Sequence, residues 1–234
     1  MEVFGRVKSL IGEQAFSALK NASVAVFGIG GVGGYAVEAL ARCGVGTLTL
    51  VDGDTVDFTN INRQIIATRE TVGQNKVSVM KERILAVNPD ARVFLYKTFY
   101  LPENADDIDF SSFDYVIDAV DTVSAKLEII MRAKKANVPV ISCMGTGGKL
   151  DPTKLMVADI EKTKECPLAR VMRKELKTRG IKGVKVVYSE EIAVKNNDIK
   201  DKKADGKTVP PSMIFVPATA GLILAKEVVT DLIK

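Results

Sequence analysis

At 234 residues, 47% hydrophobic and 26% charged with a formal net charge of +4, the chain is long enough to bury a sizeable core as one large α/β domain. It contains no histidine, which excludes His-dependent nucleophilic triads and His-ligated zinc and leaves carboxylates, lysines, arginines, thiols and nucleotide chemistry to carry a reaction. Three cysteines, Cys43, Cys143 and Cys166, are too few and too scattered for a disulfide framework or a four-thiolate zinc site. No apolar run approaches a membrane span, and MEVFGRVKSLIGEQ does not read as a signal peptide, so a cytoplasmic protein is expected.

In chain order, residues 8–20 place Leu10, Ile11, Phe16 and Leu19 at helical spacing and predict a leading amphipathic helix, with Arg6 just upstream. Val24 to Phe27 is an apolar run suited to a buried parallel strand, and Gly28-Ile29-Gly30-Gly31-Val32-Gly33 turns it into a helix that runs to about Cys43 and ends at Gly44. A second strand, Thr47 to Val51, delivers Asp52 at its carboxyl end. Asn60, Asn62 and Arg63 follow in a polar segment, and Lys76 falls in the first turn of a helix over about 74–87. Further strands are expected at Arg92 to Tyr96, Tyr115 to Ala119 and Pro139 to Cys143, the last running into Gly145-Thr146-Gly147-Gly148. A polar loop at 102–110 and a helix at 123–136 separate them.

Beyond residue 150 a strand at Leu155 to Ile160, a basic helix beginning at Cys166-Pro167 and a strand at Lys185 to Tyr188 are predicted. Residues 195–211 are polar and read as a mobile loop. The closing segment reads as a short strand, Pro217 and a terminal helix. Helices alternating with β-branched strands predict a Rossmann-like, mainly parallel sheet with helices on both faces and a site at the carboxyl ends of the strands.

A GxGxxG run alone is weak evidence. Here a strand precedes it, a helix follows it, and an acid stands about twenty residues on, which is the arrangement of a nucleotide-binding βαβ unit with its ribose-binding acid. Glycine lets the backbone approach phosphate, and the helix N-terminus supplies N–H groups and a positive dipole end. Dinucleotide enzymes share this motif, so the residues after Asp52 decide the ligand. Asn60, Asn62, Arg63, Lys76 and a second strand-end acid, Asp121, carry more positive charge than a nicotinamide pocket needs. They suit a triphosphate, magnesium and a leaving pyrophosphate. Taken singly, Arg63 and Lys76 would be surface charges, Asp121 a helix cap, and Asp54 and Asp57 turn residues.

The ordered series GxGGVG, VDGDTVDFTNINRQ, VGQNK and VIDAVDT, covering roughly residues 5–150, resembles the ubiquitin-activating-enzyme-like superfamily that includes the ThiF and MoeB sulfur-carrier activators. The resemblance implies ATP and Mg2+ as cofactors. Gly28, Gly30, Gly31 and Gly33 would contact ATP and Asp52 the ribose. Asn60, Asn62 and Arg63 would reach the phosphates, and Lys76 would neutralise the triphosphate. Asp54 and Thr122 belong to the same nucleotide-binding set. Asp121 would organise magnesium and the attacking carboxylate, and Arg6 would reach into the neighbouring subunit's site of a homodimer. Arg6, Arg63, Lys76 and Asp121 are then the catalytic set. The implied reaction is adenylation of a carboxylate. It needs no general base, because the carboxylate is already ionised at neutral pH.

The CxxC pairs that sulfur-carrier activators generally carry are missing from this sequence. Residues 151–191 and 210–229 resemble instead the branch that acts on tRNA, the threonylcarbamoyladenosine dehydratases. The whole chain, 1–234, then reads as a single adenylation domain, with a nucleotide core over about 5–150 and a substrate-facing part over 151–234. In that branch ATP activates the threonine carboxylate of the modified adenosine and the carbamoyl group attacks it, giving a cyclic base and AMP. Between Lys162 and Lys185 nine basic residues face only two acids, Glu165 and Glu175. A solvated helix face is the simpler explanation of that charge taken alone. With tRNA as partner, Arg170, Arg173, Lys174 and Lys177 are the expected phosphate contacts. Activation of a ubiquitin-like or sulfur-carrier protein, with a sulfur-relay partner, is the alternative. Cys143 reads as a small buried residue, and Cys166, at a helix start, as a candidate reactive thiol.

Overall fold

The computed structural model of the chain describes residues 3–194 and 210–234. Seven strands form one sheet: β1 (Ser23–Phe27), β2 (Thr47–Val51), β3 (Arg92–Tyr96), β4 (Tyr115–Asp118), β5 (Val140–Cys143), β6 (Leu155–Asp159) and β7 (Lys185–Ser189). Their order is β3-β2-β1-β4-β5-β7-β6. All pairings are parallel except β6 with β7, which places an antiparallel strand at one edge. The chain winds outward from β1 in one direction and then, from β4, in the other. The β1/β4 boundary is therefore the switch point at which ligands bind in open α/β sheets.

Strand alternation divides two cores. Val24 and Val26 of β1, with Leu48, Leu50 and Ile117, pack on one face beneath α3 (Gly33–Arg42), α4 (Lys76–Val87) and α7 (Phe215–Leu232). Ala25, Phe27 and Val116 face the other way, beneath α5 (Val123–Lys135) and α6 (Pro167–Thr178). Burial on both faces explains why β1 reads as a continuous apolar run from Val24 to Phe27. Among the described residues no helix is long and apolar enough to cross a membrane.

Two expectations change. The single leading helix over 8–20 is two, α1 (Gly5–Ile11) and α2 (Glu13–Asn21). Gly12 between them has φ 85° and ψ 161°, a conformation that breaks a helix and that only glycine adopts readily. The closing segment contains no strand before Pro217: that residue lies in the first turn of α7, where its missing N–H removes no helical hydrogen bond. The polar loop at 102–110 is wound into 3-10 turns. Most of the polar 195–211 stretch, residues 195–209, lies outside the described residues.

Candidate functional site

The glycine turn leaves β1 at the switch point. Gly28 has φ 86°, and a Cβ there would stand 2.7 Å from the Ala119 carbonyl oxygen; one on Gly33 would stand 1.8 Å from the Gly28 oxygen. Neither position has room for a side chain, and the turn is thereby held close against the end of β4. Helix α3 begins without a side-chain cap. Among the described residues, the N–H groups of Gly30, Gly31 and Val32 donate to no backbone acceptor. Together with the helix dipole they form an anion-binding surface.

Asp52 shapes that turn. Its Oδ2 accepts the Ile29 N–H at 2.6 Å and its Oδ1 the Asp54 N–H at 2.8 Å. A carboxylate has about four acceptor sites, so lone pairs remain for a ribose hydroxyl. Asp57 caps the next turn, accepting from Thr59 N at 2.8 Å, while Asn60, buried, accepts the Asp57 N–H at 3.2 Å. This double cap fixes where Arg63 emerges. Its Cγ lies 3.5 Å from where a Gly31 Cβ would be. Its Nη1 donates to Thr59 O and Asn62 Oδ1, both at 2.9 Å. Among the described residues Arg63 pairs with no carboxylate, so its charge is available to an anion at the turn. Asn62 in turn donates to Ser212 O at 2.9 Å, tying the C-terminal segment to this edge.

Lys76 opens α4, 5% exposed, and its Nζ lies 2.7 Å from Asp54 Oδ2. Sequence reading gave Asp54 no partner; the structure makes it the counter-charge that holds Lys76 in place. Asp121 and Thr122 follow β4 and are both exposed. Asp121 stands two residues after Ala119, whose carbonyl abuts Gly28. Among the described residues no group of three or more acids or thiols could hold a metal by itself. Asp121 is a single carboxylate beside an anion-binding turn, and that composition fits a magnesium ion shared with substrate phosphates.

Arg6 is not brought to this turn. It is exposed on α1, which is anchored where Phe4 meets Phe16 with ring centroids 5.6 Å apart. Phe16 abuts Gly44, beyond the far end of α3. Since ten-residue α3 spans about 15 Å, Arg6 belongs to the opposite end of the sheet from its own chain's glycines.

Helix α6 buries Ala169, Met172 and Leu176 and leaves Arg170, Lys174 and Lys177 exposed. Arg173 is half-buried, its Nη1 donating to Thr163 O at 2.6 Å and Thr163 Oγ1 at 2.7 Å, so it also braces the preceding turn. Cys143 and Cys166 are both buried. Burial pushes the Cys143 thiol up to about 12, which makes it unreactive at neutral pH.

Two groups escaped sequence reading. Asp118, fully buried at the end of β4, accepts from Lys126 Nζ at 3.0 Å and from Ser142 Oγ. Lys149, just after the Gly145–Gly148 run and 5% exposed, donates to Gly145 O at 3.0 Å and Ser189 O at 3.1 Å. Both lysines lie in stretches whose charge pattern looks solvated. The one available signal was their proximity to the strand ends.

The ThiF family matches residues 6–234. The chain is 46% identical to the tRNA threonylcarbamoyladenosine dehydratase of Bacillus subtilis, an alignment covering 99% of this chain and 94% of that one. Its structure is similar to that of the Escherichia coli tRNA N6-threonylcarbamoyladenosine dehydratase TcdA in complex with ATP, with a TM-score of 0.88, 37% identity, and 98% and 93% of the two chains covered. Similarity to a probable adenylyltransferase/sulfurtransferase, MoeZ of Mycobacterium tuberculosis, is 36% over 56% of this chain and 33% of that one.

Proposed function

The chain belongs to the ThiF family, and from that premise we propose that it is an ATP-dependent enzyme that cyclises threonylcarbamoyladenosine in tRNA through an acyl-adenylate. The threonine carboxylate oxygen attacks the α-phosphorus of ATP and pyrophosphate leaves. The carbamoyl nitrogen then attacks the activated carbonyl carbon, AMP departs with the carboxylate oxygen, and the nitrogen gives up its proton. One water is lost from the nucleoside overall.

The observation that carries this reading is the convergence of uncapped glycine-turn amides, a carboxylate-free Arg63 and the exposed Asp121 at one switch point. Charge that grows on phosphoryl oxygens is stabilised by donors already in place, with no reorganisation during reaction. Asp52 would hold the ribose, Asn60, Asn62 and Arg63 the phosphates, and Lys76 the triphosphate charge that Asp54 does not neutralise. A magnesium ion would be held by Asp121 and the phosphates, lowering the charge that the attacking carboxylate meets. The Bacillus subtilis dehydratase aligns along nearly the whole chain, whereas the alignment with MoeZ covers 56% of it; this favours a tRNA substrate over a carrier protein.

Two features of the assembly follow from the same reading. Arg6, remote from its own glycine turn, would complete the site of a second copy in a homodimer. Arg170, Lys174 and Lys177, with the outer edge of Arg173, would track tRNA phosphates in the cytoplasm. The chain would act as one adenylation domain. The test is incubation with ATP, magnesium and tRNA bearing threonylcarbamoyladenosine, followed by mass spectrometry of the nucleoside. Loss of one water, dependent on ATP, is expected. An unchanged nucleoside, with ATP–pyrophosphate exchange appearing only when a carrier protein is added, would assign the chain to the alternative.

A further inference from the structure

A nucleotide held by Asp52 would extend its adenosine over β2 and set its phosphates over the β1 turn. An acyl group attacking the α-phosphorus must therefore approach from the β4 and β5 side. At about 4.8 Å per strand, β5 is roughly 10 Å from β1, and residues 145–148, GTGG, run over its carboxyl end. That segment is fastened with unusual completeness. Beneath it Lys149 Nζ joins the Gly145 carbonyl to the Ser189 carbonyl at the end of β7, at 3.0 and 3.1 Å. Behind it the Glu191 carboxylate accepts the next two amides, Leu150 N at 2.9 Å and Asp151 N at 3.0 Å. In front, Gly148 N donates to Pro211 O at 2.6 Å, and Ser212 is the residue that Asn62 holds beside Arg63.

From this geometry we propose that Lys149 and Glu191 are positioning residues that hold segment 145–148 as the wall of the acyl-substrate site facing the glycine turn. The inference rests on the dehydratase reading for what the wall receives, though not for the clamp itself. A lysine 5% exposed whose acceptors among the described residues are two carbonyls is a costly way to fill space. Burial pulls its ammonium below the ordinary lysine value, with Cys166, Glu191 and Cys143 nearby partly restoring it. A methionine of similar length would fill the same volume more cheaply. What methionine cannot do is fix two carbonyls from different strands relative to each other. A wall misplaced by about 1 Å would spoil the approach of the carboxylate to phosphorus while leaving ATP, held by β1, β2 and α4, untouched.

The experiment compares the full-length wild type with Lys149→Met, Glu191→Ala and Glu191→Gln. The readouts are dehydration kinetics, KM for ATP, and hydrogen exchange at the amides of Leu150 and Asp151. The clamp predicts kcat reduced on the order of 10²-fold in Lys149→Met and Glu191→Ala, KM for ATP within about twofold of wild type, and faster exchange at both amides. Glu191→Gln, which keeps one acceptor oxygen, should recover part of the loss. Unchanged kcat in a folded Lys149→Met, or a raised KM for ATP with kcat intact, would overturn the proposal, as would Glu191→Gln behaving like Glu191→Ala. Should Lys149→Met lose its melting transition, the Glu191 pair decides, since that side chain lies nearer the surface. If the wild type fails to dehydrate the nucleoside, the functional reading falls by itself. The clamp is then judged by exchange: acceleration at Leu150 and Asp151 in Glu191→Ala supports it, and unchanged protection sinks it.

Discussion

Lys76 Nζ and Asp54 Oδ2 are 2.7 Å apart, the lysine side chain 7% exposed and the carboxylate 52% exposed. The pair is asymmetric: the cation is fixed in the protein while the anion faces solvent and the ligand side. Asp54→Ala should strand a buried ammonium and destabilise the fold by about 1–3 kcal/mol. Lys76→Met should cost less stability, because the remaining carboxylate can hydrate, yet it should reduce ATP-dependent turnover the more of the two. Urea unfolding and initial rates of both variants and the double variant form a cycle. A coupling energy indistinguishable from zero would show that the pair is incidental.

Asp52 uses both oxygens to hold backbone amides, Ile29 N at 2.6 Å and Asp54 N at 2.8 Å. In Asp52→Asn the side-chain NH2 must face one of those N–H groups, so one of the two bonds is lost and the glycine turn loosens. ATP affinity should fall about tenfold, equivalent to about 1.4 kcal/mol, from the lost bond and the lost carboxylate together. Titration calorimetry with ATP measures it, and wild-type affinity in the variant would show that neither the turn nor the ribose depends on Asp52.

The buried Asp118–Lys126–Ser142 group lies directly behind the site, with both charges fully buried. Lys126→Met leaves Asp118, among the described residues, with only Ser142 and the Val120 amide. The expected loss is about 3–5 kcal/mol in urea unfolding, the usual result of removing one partner from a buried pair. Adding Asp118→Asn should restore much of it, since a neutral amide tolerates burial far better than an unpaired carboxylate. Failure of the second substitution to restore stability would mean that packing around Lys126, rather than charge, sets the cost.

How far the sequence reached depended on the range of the interactions involved. The glycine turn, Asp52 and the parallel pairing of the strands follow from local rules: apolar runs, glycine spacing, a fixed acid offset and the alternation of strands with helices. The partner of Lys76 did not, because Asp54 lies 22 residues earlier and meets it only through the bridge between Thr55 and Asn75. Arg173 stands in a helix whose charge suits tRNA, yet its bonds to Thr163 depend on how that helix docks. Lys149 and Ser189 are 40 residues apart and are brought together only because β7 is inserted between β5 and β6. Gly12 and Pro217 carried a legible signal, a breaker between two helices and a first-turn proline, which the apolar periodicity around each outweighed.

At the amino ends of β4 and β7, far from the site, Asp231 fastens α7 to the sheet. Burial pushes its carboxyl up, but hydrogen bonds from Lys185, Lys234 and Tyr115 outweigh that and hold it at about 2, below its ordinary 3.8. Glu227 is likewise lowered, burial being outweighed by Lys226 and Lys185. Groups whose folded pKa is depressed contribute stability above their unfolded value and lose it as pH falls through the folded value. For Asp231 that window runs from about pH 4 down to about pH 2. Lys185 has the opposite sign: burial lowers its pKa, but the bonds to Asp231 and Glu227 outweigh burial, and the net shift is upward. Its contribution is therefore present at neutral pH and lost only in strong alkali. Asp231→Asn should accordingly be less stable than wild type at pH 5, with the difference shrinking steadily toward pH 2. Urea midpoints measured at half-unit steps across that range test this, and a difference between the two proteins that stays constant with pH would show that the carboxylate does not anchor α7 through its charge.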